Sequence, residues 1–195
     1  MYQRIITDEE IAQLEPLQFD GRIHIITSDK QVPAAVKFLQ TQKVIGFDTE
    51  SKPTFKKRQH NKVALLQLAT LDTAFLFRLH YLTDYRSIFS ILSDPSIMKV
   101  GVAVNGDFKE LKRLENFTPA NFLELQKYIK NFEIENISLK KMAAIVLRGK
   151  VSKRQQRSNW ESPILSEAQL RYAATDAWVS LKIYCELQKN LKTAQ

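Results

Sequence analysis

The run KVIGFDTE at Lys43–Glu50 sets the apolar residues Val44, Ile45 and Phe47 directly ahead of Asp48, Thr49 and Glu50. In an extended strand the side-chain period is two, so Asp48 and Glu50 point to one face. The apolar lead-in marks a buried strand, and the carboxyl ends of such strands are where open α/β sheets place their sites. Two carboxylates side by side there repel unless something positive lies between them. A divalent cation is the natural candidate, because hard metals favour oxygen ligands. An Asp-x-Glu triplet alone is also common at solvated loop ends, so the rest of the chain has to supply the remaining ligands.

At 195 residues, with 44% hydrophobic and 26% charged residues, the chain is long enough for one domain with a real core. The net charge of +8, from 29 Lys+Arg against 21 Asp+Glu, suggests a polyanionic partner. The cations cluster: Lys52, Lys56, Lys57, Arg58 and Lys62 form one run without an acid. Lys140, Lys141, Arg148, Lys150, Lys153, Arg154 and Arg157 form another. Such runs are either solvated faces or a footprint for a phosphate backbone. The lone cysteine, Cys185, excludes an internal disulfide. No apolar run reaches membrane-spanning length and the N-terminus lacks a signal-peptide pattern, so a reducing, cytoplasmic setting is expected.

Residue patterns predict a helix over 8–15, a strand over 22–27, and a helix capped by Ser28 that runs to about Gln42. After the Asp48/Glu50 strand, 62–70 and 73–79 read as a hairpin turning at Leu71-Asp72. An amphipathic helix over 84–92 stops at Asp94-Pro95. A strand over 97–104, a helix over 106–115, a short strand over 121–125 and a helix over 139–147 follow. The basic segment 148–157 reads as a flexible loop. Ser166 opens the last helix, with Gln169 where a capping box wants it. This order predicts an α/β fold with a mixed sheet and helices on both faces.

Two further acids stand out. Asp107 falls in the first turn of a helix, where the dipole stabilises a carboxylate whatever else it does. Asp176 lies four residues after Tyr172, on the same helical face. Its neighbours Ala173, Ala174 and Ala177 make a solvated surface position improbable. It is either a buried hydrogen-bonded acid or a ligand.

FDTE at Phe47–Glu50, NGDFKEL at Asn105–Leu111 and YAATDA at Tyr172–Ala177 together resemble the three motifs of the DEDD 3'–5' exonucleases. The Tyr-x-x-x-Asp spacing resembles the tyrosine branch. KVALLQLAT at Lys62–Thr70, NFLEL at Asn121–Leu125 and SNW at Ser158–Trp160 make the chain most similar to the Werner-syndrome helicase exonuclease domain. It resembles RNase D less closely. The likeness covers roughly residues 23–190 of a chain read as one exonuclease domain over 1–195. Arg58 departs from the pattern, standing where close relatives are expected to carry glycine.

The resemblance implies a ribonuclease H-like fold and hydrolysis assisted by two divalent cations, Mg²⁺ or Mn²⁺, ~3.5–4 Å apart. It implies that Asp48 bridges both ions and that Glu50 and Asp176 hold the one that activates water. Asp107 would hold the other, and Tyr172 would orient the attacking water. Lys56, Lys57, Arg58, Lys153, Arg154 and Arg157 are the candidate contacts to the nucleic-acid backbone. Trp160 is either a base-stacking residue or a packing residue. His24 and His80 read as structural. The implied partner is nucleic acid and not a membrane, with DNA favoured by the Werner-like similarity. The alternatives are an RNase D-like exoribonuclease and an inactive nucleic-acid-binding module. Oligomeric state is not legible.

Overall fold

The computed structural model describes residues 2–52 and 62–193. In chain order the elements are α1 (Asp8–Ala12), β1 (Glu15–Pro16), β2 (Arg22–Ile26), α2 (Val32–Gln40), β3 (Val44–Ser51), β4 (Val63–Ala69), β5 (Thr73–Arg78) and α3 (Tyr85–Ser93). They continue with β6 (Met98–Gly101), α4 (Val104–Leu111), β7 (Phe122–Glu124), α5 (Leu125–Tyr128), α6 (Leu139–Leu147), β8 (Gly149–Lys150) and α7 (Glu167–Thr193). Six strands form one mixed sheet in the order β2-β5-β4-β3-β6-β7. The β4–β5 hairpin turns where the sequence places it, and β4 runs antiparallel to both neighbours. Among the described residues no helix is long and apolar enough to cross a membrane.

The alternation within β3 divides the protein into two layers. Ile45 and Phe47 join Leu66, Leu68 and Phe77 in a core shared with Val36 and Leu39 of α2 and Ile88 and Leu92 of α3. Gly46, Asp48 and Glu50 face the other way, toward α7. A one-residue register slip would turn Ile45 and Phe47 out of their core, at roughly 1.5–3 kcal/mol each. It would also bury both carboxylates in the apolar layer. Hydrophobic patterning therefore aims the acids.

Glycine at position 46 sets how near α7 comes. A Cβ there would lie 1.9 Å from the Ala177 carbonyl oxygen, so only a residue without one admits the helix. Ala173, Ala174 and Ala177 keep the matching face of α7 thin. The helix opens with the expected capping box: Gln169 Oε1 accepts from the Ser166 amide at 3.0 Å, and Ser166 Oγ accepts from the Gln169 amide at 3.3 Å.

Three boundaries differ from expectation. The first helix stops at Ala12, because Glu15–Pro16 pairs in parallel with Gly149–Lys150. The same pairing makes the start of the presumed basic loop a short strand. β6 ends at Gly101 rather than Val104, because Ala103 turns into the left-handed region (φ 58°) and α4 begins at once.

Gly46→Ala is expected to destabilise the protein by about 1–3 kcal/mol in urea unfolding, since it overpacks against backbone. An unchanged midpoint would contradict the close approach of α7 to β3.

Candidate active site

β3 and α7 bring three carboxylates together. Oxygens of Asp48, Glu50 and Asp176 all lie within 4.8 Å of one another. Asp176 is only 7% exposed, which rules out a solvated surface charge. Tyr172 stands one helical turn earlier, and its hydroxyl acts on the Asp176 carboxylate to lower its pKa.

Asp107 arrives from a third element. β6 pairs with β3 only over Val44–Gly46, so β3 runs on beyond it. The first turn of α4 fills the vacated edge, where Asp107 Oδ1 accepts from Thr49 Oγ1 at 2.6 Å. Asp107 stands outside the 4.8 Å group, yet its charge acts on both Asp48 and Glu50. The turn that positions it is held by Glu124, whose carboxylate accepts from the amides of Ala103 and Val104, each at 3.0 Å. These bonds offset the roughly 1–2 kcal/mol that a left-handed non-glycine residue costs.

The cluster is electrostatically strained. Burial, then the charges of Asp176 and Asp107, raises the Asp48 pKa well above the usual carboxylate range. Burial followed by Asp48, Asp176 and Asp107 pushes Glu50 to about 9. Burial raises Asp107 to about 6 against the opposing Thr49 hydrogen bond. Asp176 also rises through burial, partly countered by Tyr172. The Tyr172 phenol moves up through burial and then the nearby acids. None of the groups perturbing Asp48, Glu50 or Asp176 is a cation among the described residues. An all-oxygen donor set with no counter-charge among the described side chains fits a hard divalent cation, whereas zinc usually takes His or Cys.

Behind Tyr172, Trp160 is fully buried, its ring centre 5.9 Å from the tyrosine's. It packs; it is not available for base stacking. Its loop is pinned by the buried Arg78, which donates to the carbonyls of Ser162 and Pro163, and by a Lys52–Glu161 ion pair at 3.3 Å. His24 stacks on Phe75 and His80 packs beside Tyr81, as structural residues. Lys153, Arg154 and Arg157 are exposed. Lys56, Lys57 and Arg58 lie outside the described residues.

Sequence reasoning missed Gly46, Thr49, Glu124 and Arg78. A glycine within a strand signals close approach, and Thr49 and Glu124 sit inside the quoted motifs. Arg78 carried no sequence signal.

This sheet with its helices on both faces is the ribonuclease H-like exonuclease fold. The Nibbler EXO domain of Aedes aegypti superposes with a TM-score of 0.82 at 27% identity, covering 93% of this chain and 94% of that one. The 3'–5' exonuclease family profile matches residues 23–192, and the chain belongs to that family. It is 31% identical over 164 residues to the mouse bifunctional 3'–5' exonuclease/ATP-dependent helicase WRN, covering 78% of this chain and 11% of the relative. It is 23% identical over 186 residues to ribonuclease D of Haemophilus influenzae, covering 95% of this chain. The chain thus spans less than half the length of either relative, 46% in the second case.

Carboxyls whose folded-state pKa is raised bind more protons folded than unfolded. Stability without metal should therefore fall as pH rises from about 4.5, the ordinary Glu50 value, toward about 9. Thermal melts across this window in EDTA should show that decline, and Mn²⁺ should raise Tm more at pH 8 than at pH 5. A pH-independent metal effect would contradict the strained cluster.

Proposed function

We propose that this chain is a tyrosine-branch enzyme that hydrolyses phosphodiester bonds from the 3' end of DNA and releases nucleoside 5'-monophosphates. The observation that carries the reading is the convergence of Asp48, Glu50 and Asp176, with Asp107 alongside and Tyr172 one turn away. Two divalent cations, Mg²⁺ or Mn²⁺, would supply an activated water and charge to stabilise the leaving oxyanion.

The residues divide that work by position. Asp48 lies within 4.8 Å of the Glu50 and Asp176 oxygens and also feels Asp107, and the exonuclease resemblance gives its position the role of serving both cations. Glu50 and Asp176 complete one side and Asp107 the other. The Tyr172 phenol holds its proton too tightly to act as a base, so it orients the attacking water through its hydroxyl. Arg157 is an exposed cation suited to a backbone phosphate, and Lys56, Lys57 and Arg58 have the same role on sequence grounds; Lys153 and Arg154, exposed nearby in the same segment, suit a terminal phosphate. Phosphate contacts carry no sequence information, so cleavage is largely sequence-independent.

RNA is the second reading, favoured by the similarity to ribonuclease D. The choice turns on contacts to the sugar 2' position.

With Mn²⁺, the protein should shorten 5'-labelled DNA stepwise from its 3' end. Asp48→Asn should lower the rate by at least roughly 10³-fold with the fold intact. Tyr172→Phe should lower it about 10²-fold without abolishing it. Parallel RNA strands separate the two substrates. Full activity of Asp48→Asn would overturn the reading.

A further inference from the structure

A cavity borders Tyr172 on the face of α7 that carries Ala168 and Arg171. It is a cleft of about 620 Å³ between α7, the α1 segment and the β1–β8 pair. Ala168, Arg171, Tyr172 and Thr175 form its α7 wall, spaced three and four apart on one helical face. Tyr172 therefore borders both the cleft and the carboxylates.

The cleft is rich in positive charge, and most of that charge is already engaged. Lys140 pairs with Asp8 at 2.8 Å, and Lys150 Nζ donates to the Ala12 carbonyl at 2.8 Å. Arg171 pairs with Glu167 at 2.8 Å. Lys153 and Arg154 line the same cleft, are exposed, and make no ion pair among the described residues. Lys153 does feel Asp8, whose charge Lys140 already balances. Pro16 and Leu17 give the opposite wall an apolar surface, backed by the buried Ile11 and Val151.

We propose that this cleft is a product site that holds the nucleoside 5'-monophosphate after cleavage. The phosphate sits on Lys153 and Arg154, and the nucleoside lies along Pro16 and Leu17. Two adjacent uncommitted cations suit one terminal phosphate dianion; a continuing strand would need a longer track of them. The volume falls within the range of ordinary small-molecule sites, about 300–1,000 Å³. The identity of the ligand rests on the nuclease reading above, since it is the unit that reaction releases.

The test uses the full chain carrying Asp48→Asn, in EDTA, titrated calorimetrically with a nucleoside 5'-monophosphate. Saturable one-to-one binding is expected. It should weaken at least tenfold with Lys153→Glu/Arg154→Glu, weaken similarly for the nucleoside lacking phosphate, and persist with the remote control Lys37→Glu. Circular dichroism and Tm check that the exposed charge reversals leave the fold unchanged. No saturable binding, indifference to the charge reversals, or displacement by an uncut oligonucleotide with an unphosphorylated 5' end would each overturn the product site. Cleavage by the wild-type chain with Mn²⁺ separates the two claims. If cleavage is present and binding absent, the cleft proposal alone fails; if cleavage is absent, the nuclease reading fails.

Discussion

Carboxylates crowded at one end of β3 govern the rest of the structure. Two unit charges ~4 Å apart repel by about 4 kcal/mol at an effective dielectric constant near 20. Domains of this kind are stable by only about 5–15 kcal/mol in total. Asp48, Glu50 and Asp176 cannot all stay ionised at that separation without a counter-charge. Protons meet the need in the metal-free protein, which is why Glu50 is pushed to about 9. Cations would meet it in the working enzyme.

Holding such a cluster requires elements that do not yield to the repulsion. β3 is fixed by Ile45 and Phe47 in the core on its far side. α7 is held against the strand at Gly46 and cannot retreat without giving up the burial of Ala173, Ala174 and Ala177. α4 is fixed by Glu124 at its first amides. Arg78 and Trp160 brace the loop behind Tyr172. The acids come from three segments far apart in sequence, and each segment has its own anchor. The same helix gives Tyr172 two surroundings, the acids and a basic cleft.

Local signals made much of this legible. Period-two alternation in FDTE and the four-residue step from Tyr172 to Asp176 fixed which side chains share a face. The Ser166/Gln169 capping box marked the start of α7, and the Leu71-Asp72 turn marked the hairpin. What escaped depends on contacts distant in sequence. The β1–β8 pairing joins Glu15 to Gly149, and nothing local at either end announces it. The early start of α4 depends on Glu124, some twenty residues away, accepting the amides of a left-handed turn. Trp160 is ambiguous as a residue type, and only the packing of its loop decides between stacking on a base and filling the core.

The central claim is that these acids exist to hold divalent cations. Anomalous diffraction from a crystal soaked in Mn²⁺ tests it most directly. The account predicts anomalous density among the carboxylate oxygens of Asp48, Glu50 and Asp176, with a second site on the Asp107 side. A fully soaked crystal with no density there, or with manganese bound only elsewhere, would contradict it.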